Sequence, residues 1–168
     1  MNAYFGQAGG YIIRDPAEAS LGLPSGYGEY EIPLILESKN YHPNGTLIAP
    51  GAANGGSSFT NIIQVNGKPW PYFKVEPRKY RFRLLDATIS RTFELFLSET
   101  AESEKIPFQV VSSDSGLLTE PVTTSTLSIS MAERYDIVVD FASLAGQNVT
   151  LRNVGTSTVF EELNSILR

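Results

Sequence analysis

The sequence predicts an all-β protein, a sandwich or barrel of about nine short strands, and three observations predict it. Apolar and polar residues alternate with a period of two over much of the chain from Glu31 onward. Turn-forming Gly, Pro, Asn and Asp recur between those runs, while no stretch keeps a helical period long enough to organise a core. At 168 residues the chain can bury one substantial core, since about 150 residues is the usual size of a domain.

Residues 1–30 read as an N-terminal arm and linker. The arm, 2–13, carries Tyr4, Phe5, Tyr11, Ile12 and Ile13 and is expected to be an extended strand. Asp15-Pro16-Ala17-Glu18-Ala19 predicts one capped helical turn, with Asp15 as cap and Pro16 in the first helical position. Gly22, Gly26 and Gly28 make 21–28 a flexible link; they do not follow a strand into a helix, so they are no dinucleotide fingerprint.

Residues 31–155 form the predicted domain. Its strands are 32–37, 62–65, 72–75, 80–84, 93–97, 108–111, 127–131, 134–141 and 149–153. The clearest is Tyr80-Arg81-Phe82-Arg83-Leu84, with apolar residues on one face and two arginines on the other. In 134–141, Tyr135, Ile137, Val139 and Phe141 are expected to face inward. Asn66-Gly67 supplies the positive backbone angles of a tight hairpin. Residues 49–58 have nothing to bury and read as a mobile surface loop, and 98–105 as a second short helical turn. Residues 156–168 are a divergent tail with apolar spacing suited to one or two helical turns.

Composition narrows the function. Net charge is −5 and the basic residues are scattered, apart from Arg78, Lys79, Arg81 and Arg83, so nucleic acid is not expected as a partner. No apolar run nears the ~20 residues needed to span a bilayer, so no membrane partner is expected either. The N-terminus has no basic, apolar and small-residue succession of an export signal. The sequons Asn44-Gly45-Thr46 and Asn148-Val149-Thr150 do not by themselves fix a compartment.

Metal chemistry is poorly served: there is no Cys, one His and two Met. Copper and zinc sites take three or four imidazole, thiolate or thioether donors, so one imidazole assembles none. His42 lies in a turn-like Tyr41-His42-Pro43-Asn44-Gly45 setting and reads as a solvated loop residue. Trp70, between Pro69 and Pro71, reads as packing under the sheet or against a neighbouring domain.

Asp114, Glu133 and Tyr135 are the candidates for acid-base catalysis in a metal-free enzyme, with eight Tyr and nine Phe to wall a pocket for an aromatic or polyketide-like molecule. Against that, Glu133 and Arg134 are adjacent and would point to opposite faces of a regular strand. The arginine cluster is expected to clamp loop carbonyls or carboxylates such as Asp86 at a sheet edge.

The run Glu76-Pro77-Arg78-Lys79-Tyr80-Arg81-Phe82-Arg83-Leu84-Leu85-Asp86-Ala87 resembles a hallmark of multicopper oxidases. Four further stretches agree in order: Asn2-Ala3-Tyr4-Phe5-Gly6-Gln7-Ala8-Gly9-Gly10-Tyr11, Asn66-Gly67-Lys68-Pro69-Trp70-Pro71, Ser113-Asp114-Ser115-Gly116-Leu117-Leu118 and Met131-Ala132-Glu133-Arg134-Tyr135-Asp136. They look most like the bilirubin oxidase and laccase-like side of that family. The resemblance implies a Greek-key cupredoxin-like β-sandwich, equivalent to the middle one of three domains, in a mostly secreted family. It also implies that copper is held by His-x-His and Cys-His motifs of the first and third domains. On that reading this chain holds no cofactor, and its arm resembles the last strand of the first domain. Expected partners are the neighbouring cupredoxin domains, or a second copy exchanged through the arm.

Overall fold

The computed structural model describes residues 2–51 and 60–154. They form a β-sandwich of ten strands: β1 (Glu31–Lys39), β2 (Ile62–Val65), β3 (Lys68–Pro69), β4 (Lys79–Asp86), β5 (Phe93–Ser98), β6 (Phe108–Ser113), β7 (Gly116–Thr124), β8 (Leu127–Ile129), β9 (Arg134–Asp140) and β10 (Thr150–Asn153). One sheet has seven strands in the order β3-β2-β1-β4-β9-β6-β7; the other has three in the order β10-β5-β8. All neighbours are antiparallel except β1 and β4, which run parallel with Glu31 opposite Arg81.

The two-residue period decides which side of each strand meets the core. On β4, Tyr80, Phe82 and Leu84 enter the core, as do Ile32, Leu34 and Leu36 of β1 and Ile137 and Val139 of β9. Phe93, Leu95 and Leu97 of β5 meet them from the small sheet. Phe141 is also in the core and Tyr135 packs against it half-buried, so the expected inward set holds. The rings of Tyr80, Phe82 and Phe141 lie 5.8–6.3 Å apart, two of the three contacts being edge-to-face. Burying each large side chain contributes on the order of 1.5–3 kcal/mol.

The Asn66-Gly67 hairpin forms between β2 and β3, with φ of 52° and 77° at its two turn residues. Asn66 also accepts from the Ile35 N–H through Oδ1 at 2.9 Å, so the turn is tied to β1. Pro16–Leu21 is a 3-10 helix capped by Asp15, whose Oδ1 accepts from the Ala17 N–H at 2.8 Å.

Several expectations are corrected. No strand forms over 2–13: Ala3–Phe5 is a 3-10 turn, and the buried Tyr4 donates its hydroxyl to the Ile48 carbonyl at 2.7 Å, drawing the chain onto the 40–48 loop. The 21–28 link runs into a turn, the Gly26 carbonyl accepting from the N–H groups of Glu29, Tyr30 and Glu31. Residues 72–75 join no ladder; their alternation reflects Phe73 and Val75 packing against the core from an extended segment.

No helix forms over 98–105, where the side chains of Thr100 and Ser103 exchange hydrogen bonds with each other's backbone N–H and compete with helical pairing. Trp70 is 45% exposed at φ 40° instead of lying under the sheet. β7 gave no apolar signal because it is an edge strand, largely exposed, with Pro121 tolerated there. Most of the 49–58 loop and the 156–168 tail lie outside the described residues.

Candidate functional site

The outer face of β1, β4 and β9 carries the densest cluster of charge among the described residues. Strand parity puts Glu31, Arg81, Arg83 and Asp136 there, because their neighbours Ile32, Phe82 and Ile137 take the core side. The linker then covers them with Arg14 and Glu18. Arg81 donates through Nε to Asp136 Oδ2 at 2.8 Å and also pairs with Glu18. Arg83 donates to Asp136 Oδ2 through Nη1 at 2.8 Å, to Glu18 Oε1 at 3.2 Å, and to Glu31. Arg14 Nη1 reaches Glu31 Oε2 at 2.7 Å.

The side chains of Arg81 and Glu31 are almost wholly buried, whereas that of Arg14 is half exposed. Burial acts to raise the Glu31 carboxyl, and the Arg14 and Arg83 guanidiniums outweigh it, holding the group below its ordinary value. Arg14 is raised in turn, first by its hydrogen bond to Glu31. Three arginines against three carboxylates leave the cluster near neutrality, and its charges are spent on one another. Chemically it is a clamp: it binds 14–18 of the chain to the central strands.

Arg81 and Arg83 therefore clamp Glu18, Glu31 and Asp136 at the middle of the sheet, where an edge position and Asp86 were expected. Arg78 instead lies over the Tyr30 ring, 3.6 Å from its centre. Asp86, fully buried at the end of β4, accepts from the Thr88 N–H at 2.8 Å through Oδ1. Its Oδ2 accepts no hydrogen bond among the described residues. Burial pushes the Asp86 carboxyl up to about 6, with Glu133 adding to the rise and Thr88 and Arg91 opposing it.

Asp114, Glu133 and Tyr135 lie about the start of β9, next to the bulge between Val110 and Ser112. Asp114 accepts from the Arg134 N–H at 2.7 Å and pairs with its side chain at 3.1 Å, both side chains about half exposed. Glu133 closes a turn by accepting from the Ser130 N–H at 2.6 Å. Tyr135 is raised by burial, then by the charges of Glu133 and Asp114. A cavity of about 390 Å³ lies elsewhere, lined by Phe73, Glu76, Phe141, Leu144, Asn148 and Val149 among others, and none of the three catalytic candidates borders it.

Sequence reasoning missed Arg14, Glu18 and Glu31 as one unit with the arginines. A signal existed: charged residues at the outward parity of strands 31–39, 80–84 and 134–141, whose inner faces are apolar, require a cover that carries charge of its own.

The donor set does not fit copper. His42 is exposed in a turn, its N–H donating to the Thr46 carbonyl at 2.8 Å. Met131 is also exposed, and among the described residues no group of three or more His, Cys, Asp and Glu could hold a metal ion.

A two-sheet Greek-key sandwich of this order is a cupredoxin-like domain. The model of the multicopper oxidase family matches residues 35–165. The chain belongs to the multicopper oxidase family. It is similar to bilirubin oxidase from Albifimbria verrucaria, 51% identical with 99% of this chain and 30% of that protein covered. It is likewise similar to laccase from Bacillus subtilis, 40% identical with 91% and 31% covered. A variant of the McoA multicopper oxidase from Aquifex aeolicus superposes with a TM-score of 0.81 at 30% identity, over 93% of this chain and 35% of that one. The chain spans about a third of the length of the curated relatives it matches.

Proposed function

We propose that this chain is a scaffold domain that holds no copper and, by itself, performs no oxidase chemistry. The observation that carries the reading is the donor set: in a family named for copper, this chain offers one imidazole, in an exposed turn, and no thiolate. Its partners are neighbouring cupredoxin domains, which it spaces and orients. Two anchorages support that role. Tyr4 fixes the start of the arm to the 40–48 loop, and Arg14 with Glu18 fixes the linker to β1, β4 and β9. Between them Tyr11 and Ile13 stay 92% and 80% exposed, apolar surface available to a neighbouring domain.

Copper loading of the purified full chain, followed by dialysis, metal analysis and an oxidase assay on a phenolic substrate, tests this. The expected result is no stoichiometric copper and no turnover; copper held at one equivalent or more with oxygen consumption would sink the reading.

A further inference from the structure

The two sequons occupy opposite structural situations, and the contrast assigns a modification site. Asn44-Gly45-Thr46 forms the tip of a small hairpin. Tyr41 and Leu47 bridge across it, His42 donates its N–H to the Thr46 carbonyl at 2.8 Å, and Gly45 returns one to the His42 carbonyl at 2.8 Å. Gly45 has φ +83°, which its lack of a Cβ makes inexpensive.

Within the tip, Asn44 Oδ1 accepts from both the Thr46 N–H at 3.1 Å and the Thr46 hydroxyl at 2.8 Å. Asn44, Gly45 and Thr46 are all exposed. Asn44 Nδ2 makes no hydrogen bond among the described residues, so nothing in the fold competes for it. The base of the hairpin is fixed, because the Tyr41 hydroxyl accepts from Gln64 Nε2 at 2.7 Å.

Asn148-Val149-Thr150 is the reverse. Asn148 is exposed, but Val149 and Thr150 are buried, and Thr150 is paired with Ser98 at the start of β10. A transferase that must grip the hydroxyl residue would have to peel β10 from β5. Asn148 also borders the 390 Å³ cavity, where a bulky substituent would crowd Phe73 and Leu144.

We infer that Asn44 is an acceptor for an N-linked glycan and that Asn148 is not. The transfer joins Asn44 Nδ2 to the anomeric carbon of a lipid-pyrophosphate-linked oligosaccharide. The bond between that carbon and the pyrophosphate breaks, the pyrophosphate leaves with its electron pair, and Nδ2 loses one proton. No oxidant or reductant takes part. The fold presents the asparagine and the hydroxyl together on one tight turn and keeps the hairpin base intact while they are used.

The test is expression of the full chain behind a cleavable secretion leader in a yeast host, with intact mass and glycopeptide mapping before and after peptide N-glycosidase. Expected is one glycan, on Asn44, at severalfold or greater excess over any occupancy of Asn148. Asn44→Gln and, independently, Thr46→Ala should each abolish it, while Asn148→Gln should leave it unchanged. A secreted chain bare at Asn44, or occupied at Asn148 as fully as at Asn44, would overturn the assignment.

Discussion

Arg134 and Asp136, two residues apart on β9, meet their ion-pair partners in opposite circumstances. At Asp136 a carboxylate meets two arginines beneath a covering linker, in a cluster whose innermost members are almost solvent-free. At Asp114 a carboxylate meets one arginine with both side chains about half in water. Exposed pairs gain little, because water and salt screen them and both side chains lose freedom. Buried pairs cost desolvation, yet removing one partner leaves a charge stranded, so they hold tightly what they connect. Burial, more than the identity of the residues, makes the Asp136 group a clamp and the Asp114 pair a surface turn.

Breaking the comparison at its buried side should give the largest effect. Arg81→Ala is expected to lose about 3–5 kcal/mol of stability in urea denaturation, because Asp136 and Glu18 remain buried with less compensation; a loss under 1 kcal/mol would mean the clamp is not formed in solution.

Asp86 sharpens the contrast, being buried like Asp136 but with one oxygen unpartnered. Its carboxyl, raised from 3.8 to about 6, disfavours the folded state whenever it is ionised. That penalty, roughly 3 kcal/mol, is complete above pH 6 and is relieved as pH falls from about 6 towards 4. Glu31 acts with the opposite sign: its stabilisation is present above the ordinary carboxylate value and is lost as pH falls through its lowered one. Stability should therefore rise on acidification from neutrality and fall again below about pH 4. Thermal melts across that range should show the rise in the native chain and its absence in Asp86→Asn.

The smallest effect belongs to the exposed pair. Asp114→Asn should change stability by about 0–1 kcal/mol, and a much larger loss in the same urea titration would erase the distinction drawn here.

The strands were legible where an apolar inner face alternated with a polar outer one. β4 and β9 show this best, since their inner residues are apolar and most of their outer ones charged. β7 was not legible, because an edge strand largely exposed to solvent has no apolar parity to display. Residues 72–75 misled for the converse reason: Phe73 and Val75 reach the core without a ladder. The clamp was half legible. Arg81 and Arg83 stood out as a pair, but their partners lie 52 to 65 positions away, and only the folded sheet brings these together. Glu133 looked catalytic because Arg134 and Asp136 stand beside it along the chain, and local proximity is what turns and surface ion pairs also require.

The clamp also has an order in time. Glu18 and Glu31 precede the arginines along the chain, whereas Asp136 follows Arg81 by 55 residues. At ~5–20 residues per second of synthesis, Arg81 and Arg83 wait roughly 3–11 s for that partner. During the interval β4 can lie parallel to β1 under the linker's Glu18, but its other edge stays open until β9 arrives. Glu18 of the linker and Glu31 of β1 thus act as early counter-ions that keep two arginines soluble yet placed, and the arrival of Asp136 closes the sheet and the charge balance in one event.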